Sequence, residues 1–401
     1  MKLNKKVLIW NDYELSPRSG GPATYLWHLK EFVNKNGIQG ITFLDYYKTA
    51  EYAATRPANV AGKTVSFVKK LVSSKLKANY NLLKTVRAKS PKVSELGVNI
   101  HDYDIIHFHS CLSLKKNIEN LKNVKAQILL TSHSPKVMHK EIIEDWCKMQ
   151  IKNVLPFVYS YCEKVDMDAF DRADWIVFPC SEAQEPYYNT WNRYGKMVAD
   201  KKLLFLPTGI TPAKENESRA EVRKKYGIPE SAVVFCYAGR HNSIKGYDLL
   251  KEAAEIILRK QENVYFLIAG APGDVEPVLH ERWIEVGWTN DPYSIINAAD
   301  CFVLPNRETY FDLILLEVLS LGQSVILSET GGNKYFKKFN SSELHFFEGG
   351  SVSSLIEQLN RFRNSMNINP LKRTDNLKLF NSYFTQSAFG QRYLDLYNQI
   401  R

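Results

Sequence analysis

The chain has 401 residues, 44% of them hydrophobic and 24% charged, with a formal net charge of +10. That length exceeds one ordinary core and predicts two domains of about 150 to 200 residues each; the composition excludes a disordered or fibrous chain. The opening apolar stretch "VLIW" is cut off by Asn11 and Asp12, so it lacks the core of a signal peptide, and no apolar run approaches the ~20 residues of a membrane span. The six cysteines are scattered without C-x-x-C or zinc spacing, which fits a reducing cytoplasm.

Apolar strand-like runs alternate with helical patterns along the chain. The first half carries "KVLIW", "GITFL", "DIIHFH", "QILLTSH", "DWIVFPC" and "LLFLPTG"; the second carries "AVVFCYAG", "VYFLIAG", "RWIEVG", "CFVLP", "SVILS" and "ELHFF". Continuous Val/Ile/Leu-rich strands separated by helices are the pattern of parallel sheets covered on both faces. Six such strands recur twice, broken near "PTGITPAKENESRAEV", a stretch with no periodicity that reads as a linker. The expected fold is α/β, with two Rossmann-like domains facing each other and the ligand crevice at the carboxyl ends of the strands. The expected boundaries are 1–208, completed by a C-terminal helix at 383–401, and 209–382.

After the first strand, "NDYELSPRSGGPATYLWHL" places Gly20 and Gly21 ahead of a helix with Pro22 in its first turn. Paired glycines let a backbone approach a ligand, and free amides at a helix start favour a phosphate; an ordinary turn explains them as well. Between the second and third strands, Lys63, Lys69, Lys70, Lys75, Lys77, Lys84, Arg87, Lys89 and Lys92 meet no acidic residue, while Val65, Val68, Leu71, Val72, Leu76, Leu82 and Leu83 are interleaved at partly helical spacing. Residues 63–92 are thus a candidate contact with an anionic membrane, or else a solvated basic insertion. His107 and His109 alternate on one strand face; with no third ligand at metal spacing, a core His107 and a cleft-lining His109 are expected. "VDMDAF" contains a D-x-D that sits within a helical pattern, and an exposed acidic helix face is expected there rather than a metal site.

The second half opens with "CYAGRHNSIKGYDLL". A strand ends at Gly239, Arg240 follows, and Lys245 and Gly246 precede a helix, which aims two cations at a position where a diphosphate leaving group would be neutralised. Solvated loop cations are the plain alternative. Further on, "RETYFDLILLEVLSLGQSVI" sets Glu317 inside a helix that is otherwise apolar all round. A buried carboxylate needs compensation. With Asp312 at the N-cap, the amides of Leu313, Ile314 and Leu315 form an anion site, and Glu317 leans back toward it to meet two adjacent hydroxyls such as a ribose diol; pairing with a core cation is the competing reading. Gly331 and Gly332 in "TGGNKYF" either line the same pocket or form a turn.

Taken together, "GR" with "KGYDLL", "FLIAGAPG", "VGWTNDPYSIINAADCFVLP", "ETYFDLILLEVLSLGQSVI" and "SETGGN" resemble the donor half of family-4 glycosyltransferases, retaining enzymes of the GT-B fold, and "SGGPATYLWHL", "YDIIHFHS", "LLTSHSP" and "LPTGI" follow in the order of their first half. The resemblance covers nearly the whole chain, including a last helix that in such enzymes packs back on the first domain. It implies transfer of a sugar from a nucleotide diphosphosugar, UDP-linked, with retention and without a metal or other cofactor. It matches Arg240 and Lys245 to the diphosphate pair, Glu317 to the ribose-holding glutamate, Gly21 to the glycine-loop donor contact, and His133 to the histidine at the sugar end of the cleft. It implies donor binding by Gly239, Gly331 and the backbone of Thr309, Tyr310 and Phe311, with Gly20 and His109 toward the acceptor. In such enzymes the favoured proposal has a donor phosphate oxygen take the acceptor proton.

The departures bear on the donor. Thr309 stands where the family has its first glutamate, Glu308 is one residue early, Asp312 replaces a common Gly, and Thr208 replaces Asn. The expected partners are a nucleotide sugar and a glycan or lipid-linked acceptor for surface polysaccharide, at a cytoplasmic site that is peripheral on the inner face of the cell membrane. A sugar-nucleotide epimerase of the same build, or a non-catalytic subunit, are the alternatives. A nucleic-acid-binding role is disfavoured because the aromatics form no stacking motif.

Overall fold

The computed structural model describes residues 2–17, 21–45, 74–87, 97–366 and 373–400. They form two compact units. One comprises Met1–Phe178, Gln184–Leu206 and Gly390–Arg401; the other comprises Pro179–Ala183 and Pro207–Phe389.

The first unit holds a six-stranded sheet built from β1 (Lys2–Asn11), β2 (Gln39–Asp45), β3 (Ile105–Phe108), β4 (Gln127–Thr131), β5 (Trp175–Phe178) and β6 (Lys202–Phe205), in the order β2-β1-β3-β4-β5-β6. Every pairing is parallel. The longer helices are α1 (Gly21–Lys35), α2 (Ser74–Val86), α3 (Cys111–Asn117) and α4 (Pro156–Arg172). Val7, Leu8, Ile9, Ile105, Ile106 and Phe108 are fully buried, as the unbroken apolar runs require when helices cover both faces.

The second unit repeats this plan with β7 (Val233–Ala238), β8 (Val264–Ala269), β9 (Trp283–Gly287), β10 (Cys301–Leu304), β11 (Ser324–Ser328) and β12 (Leu344–Phe347), ordered β12-β11-β10-β7-β8-β9 and again parallel. Its helices are α5 (Arg219–Lys225), α6 (Tyr247–Lys260), α7 (Pro292–Ala298), α8 (Leu313–Ser320), α9 (Val352–Met366) and α10 (Asp375–Tyr383). The chain ends in α11 (Gln386–Gln399), whose residues from Gly390 onward belong to the first unit. All twelve strands fall on the runs expected from sequence, and the two doubly wound sheets are those of the GT-B fold.

The strand orders identify where ligands belong. In an open parallel sheet, the crevice lies at the carboxyl ends of the two strands between which the winding reverses. In the second unit these are β7 and β10; in the first they are β1 and β3. The β7 end leads into Gly239 and Arg240, and the β10 end into Thr309 and α8.

Beneath the second sheet lies a buried ionic anchor. Asp300, at the amino end of β10, accepts from Arg219 Nη2 at 2.6 Å, from Arg223 Nη2 at 2.9 Å and from the Val234 amide at 2.7 Å. Arg223 is fully buried, and its remaining donors go to the carbonyls of Ala298, Glu230 and Ala232. Such saturation is what makes a buried guanidinium tolerable.

Candidate active site

In the second unit, two loops are zipped together at the switch point. Gly246 has φ +68 and starts α6; a Cβ there would run into the Pro305 carbonyl, so only glycine lets the β7–α6 loop lie against the β10–α8 loop. The Arg307 amide donates to Ile244 O at 3.0 Å across the same seam. Lys245 is thereby carried to the start of α8, where its Nζ lies 2.8 and 3.0 Å from the two Asp312 oxygens.

This geometry corrects one expectation. Asp312 occupies the N-cap position of α8, but its side chain makes no capping bond. Lys245 and the Asn306 side-chain amide take its carboxylate instead. The Leu315 amide donates to Asp312 O at 3.2 Å, so the expected trio of open amides reduces to Leu313 and Ile314. Both are half-buried, as is Glu317 one turn on, while Leu315, Leu316, Val318 and Leu319 are fully enclosed. The one incompletely covered face of this apolar helix therefore runs from the helix start to the carboxylate.

Glu317 answers to a hydroxyl. Tyr293 Oη, on α7, donates to Glu317 Oε1 at 3.0 Å. Burial raises the carboxyl pKa above its usual value, and the Tyr293 bond offsets this only in part. No cation pairs with Glu317 among the described residues, which leaves Oε2 available to a ligand hydroxyl.

Around this face, Thr309 is 1% exposed and its Oγ1 is buried without a hydrogen-bond partner among the described residues. Phe311 packs its ring on Tyr335, Phe336 and Phe384, so side-chain recognition is closed to it. Gly331, at φ +43, allows its segment to lie on the Thr309 carbonyl, which a Cβ would strike; the next amide, of Gly332, donates to that carbonyl at 3.3 Å. Glu308 is half-exposed. At the β7 end, Gly239 donates to Ala269 O at 3.0 Å and the exposed Arg240 accepts, through its carbonyl, from Tyr237 Oη at 2.7 Å. The structure thus gathers Lys245, Thr309, Asp312, Leu313, Ile314, Glu317 and Gly331 at one sheet end.

The first unit presents different chemistry at its switch point. His109, just past β3, and His133, just past β4, are joined Nδ1 to Nε2 at 2.8 Å with their rings stacked. The His107 ring lies 4.3 Å from that of His109 and tilted to it, bonded to Tyr397 Oη at 3.0 Å and Thr131 Oγ1 at 2.8 Å. Tyr25, bonded to Tyr393 at 2.7 Å, closes edge-on over His133. Burial depresses all three imidazoles, His107 and His133 to about 3 and His109 well below its ordinary value. They are neutral at physiological pH. His109 is buried rather than openly lining a cleft, and its Nε2 has no hydrogen-bond partner among the described residues.

Next to this stack, at the end of β1, Asp12 accepts from Trp10 Nε1 at 3.1 Å and from Ser113 Oγ. Burial raises its carboxyl to about 6. Gly21 begins α1, is exposed, and has nothing near its missing Cβ. Gly20 lies outside the described residues.

The expectation of an exposed acidic face at the D-x-D is corrected at Asp166. Asp166 is fully buried, not on an exposed face, because it caps the amides of Met138 and His139 and holds His139 Nδ1 at 2.8 Å. Asp168 lies 3.9 Å from Lys115. Sequence reasoning also missed Tyr293, Asn306 and Asp12. For Tyr293 a signal exists in "TNDPYS", where Asp291 caps the helix and Pro292 starts it, fixing the tyrosine in the first turn.

A doubly wound unit that assembles a lysine, a helix start and a lone glutamate at its switch point has the elements to hold an anion beside a hydroxyl-bearing group. Comparisons with known proteins take this further. Residues 232–364 match the family described as glycosyl transferases group 1. The chain is 24% identical to the O-antigen biosynthesis glycosyltransferase WclY of Escherichia coli over 328 residues, covering 77% of this chain and 83% of that one. It is 26% identical over 204 residues to the UDP-Gal:alpha-D-GlcNAc-diphosphoundecaprenol alpha-1,3-galactosyltransferase of Escherichia coli, covering 46% of this chain and 51% of that one. Among solved structures, sucrose-phosphate synthase from Thermosynechococcus elongatus superposes with a TM-score of 0.66 at 18% identity over 99% of both chains. The protein is a glycosyltransferase of the GT-B type.

Proposed function

We propose that the protein moves a sugar from a UDP-linked donor to a glycan or lipid-linked acceptor, with retention of anomeric configuration and without a metal, in surface polysaccharide synthesis at the cytoplasmic side of the membrane. The observation that carries this reading is the pairing of Lys245 with the start of α8, one turn from a Glu317 whose side-chain partner among the described residues is a tyrosine hydroxyl. A diphosphate would take the Lys245 ammonium and the Leu313 and Ile314 amides, with Arg240 adding charge from the β7 end; a ribose diol would satisfy Glu317. Such fixed donors stabilise a departing diphosphate more than a bound one, because negative charge grows as the glycosidic bond lengthens. The donor assignment draws on the galactosyltransferase relative, whose donor is UDP-Gal and whose acceptor carries a diphosphoundecaprenol. Family-4 resemblance supports retention.

A panel of nucleotide sugars, screened for thermal stabilisation, tests the donor, since a ligand of the native state raises the melting temperature by mass action. The best stabiliser is expected to be a UDP-sugar, released as UDP only when acceptor is present, with EDTA harmless and the donor's anomeric configuration kept in the product by NMR. A new sugar nucleotide formed without acceptor would identify an epimerase instead; silence toward every nucleotide sugar would sink the reading.

A further inference from the structure

We infer that the face formed by α2 and the start of α4 docks on an anionic lipid bilayer. Its residues lie partly within the basic stretch at 63–92, of which 63–73 and 88–92 fall outside the described residues. α2 contains no acidic residue in "SKLKANYNLLKTV". One side is fixed to the protein: Asn79 is buried, its Nδ2 donates to Asn153 O at 3.2 Å, and its Oδ1 accepts from the Leu155 amide at 2.8 Å. Two turns later the Arg87 guanidinium lies 4.8 Å over the Tyr161 ring. Residues 79 and 87 therefore stand beside 153–155 and 161, so the two helices run side by side and Tyr80 lies level with Phe157.

The outward side is what a soluble face avoids. Leu76, Tyr80 and Phe157 are 50%, 68% and 65% exposed. Lys75, Lys77, Lys84, Lys152 and Lys164 are exposed around them. Lys75, Lys84, Lys152 and Lys164 form no ion pair among the described residues.

The mixture selects the occupant. A protein partner's interface core is depleted of lysine, whereas a surface that inserts apolar side chains between anionic headgroups combines them with lysines. Each lysine near such a surface adds roughly 1 kcal/mol of attraction. The inference deepens the lipid-linked acceptor reading by naming the face that meets the membrane, and its geometry stands without the donor site.

The test uses the full chain and vesicles of phosphatidylcholine with 30% phosphatidylglycerol, compared with phosphatidylcholine alone, by sedimentation at low and high salt. Binding to the anionic vesicles is expected to exceed that to neutral ones at least about tenfold and to fade with salt. Tyr80→Ser with Phe157→Ser should weaken it about tenfold, and Lys75→Glu, Lys84→Glu and Lys152→Glu together at least about a hundredfold. The lysine set is fully surface-borne, so it decides the matter even if the aromatic pair lowers the melting temperature. Indifference to lipid charge, or variants that bind like the parent, would overturn the inference. So would a dimer dissociated by Phe157→Ser, which would assign the face to a second copy, or equal retention on RNA with the same dependence on the three lysines. Nucleotide-sugar stabilisation should persist in every variant. Vesicle binding without it would leave the docking face standing and remove the transferase reading; the opposite pattern would do the reverse.

Discussion

The two switch points are built from the same fold and filled with opposite chemistry. The second unit collects formal charges at a helix start: Lys245, Asp312, the exposed Arg240 and the half-buried Glu317. The first collects neutral rings: three imidazoles lie together, His107 bonded to Thr131 and Tyr397 and His133 met edge-on by Tyr25, and all are depressed below physiological pH. A site that must release a diphosphate needs fixed charges that match a growing anion. A site that must position a sugar hydroxyl without protonating it is served by neutral donors and acceptors held in one orientation. The architecture is common to both; the division of labour that the proposed function requires would lie in what each strand end carries.

The sharpest way to break the comparison is to remove charge from the second unit. Arg240→Ala should lower kcat about 10²- to 10³-fold, the loss typical of one group that stabilises developing negative charge. Its melting temperature should stay near that of the parent, because the side chain is exposed. A loss confined to KM would mean that Arg240 contributes uniform binding and does not act on the leaving group.

The next effect concerns the footing of that unit. Asp300→Asn would leave the buried Arg223 guanidinium and Arg219 without a counter-charge, a change that costs about 3 kcal/mol. Calorimetry should show the nucleotide-sugar-sensitive transition moving down, with stack-dependent properties of the first unit intact. A uniform shift of a single transition would show instead that the two units melt as one.

Acid should separate the units in the other direction. An imidazole whose folded pKa is depressed leaves the unfolded chain holding more protons below about pH 6.5, so native stability falls as pH drops from there toward the folded value near 3. His28, lowered to about 4, adds to the stack, whereas the second unit contributes only His241 and His345. Asp12 works the opposite way: its carboxyl is raised to about 6, so protonation between roughly pH 6 and 4 relieves a penalty. Four imidazoles outweigh one carboxyl. Because one such imidazole alone is worth about 2 kcal/mol between pH 7 and pH 5, the first unit should lose at least that much over this range, read from the urea midpoint of proteolytic cuts in each unit. Equal loss in both units would contradict the assignment.

How far the molecule was legible before folding follows from range. The twelve strands were readable because each is a local run of apolar residues, and their carboxyl ends followed from the runs. Glu317 stood out because one carboxylate in "LILLEVLS" violates its own surroundings. Its partner did not, since Tyr293 is 24 residues away and becomes adjacent only through the order of β9 and β10. Lys245 and Asp312, 67 residues apart, each had a plausible local duty, yet the close approach of two loops at Gly246 assigned them to each other. Asp166 misled for the same reason: helical spacing says which side a residue takes, but only the fold brings the Met138 and His139 amides to it.

The smallest effect probes how the neutral stack is oriented. One of His109 Nδ1 and His133 Nε2 must carry the shared proton. If His133 donated, His109 would keep its hydrogen on Nε2, a buried N–H with no acceptor; if His109 donates, Nε2 is an unfilled lone pair, the cheaper of the two deficits. The second arrangement puts the His133 hydrogen on Nδ1 and makes His109 the residue that positions it. His109→Asn keeps an amide donor near the Nδ1 position and should retain most activity, whereas His109→Gln carries its amide toward Nε2 and should lose about tenfold in kcat with little change in melting temperature. Nitrogen-15 shifts of His133 report the tautomer directly: an Nε2–H signal in the parent chain would reverse the assignment.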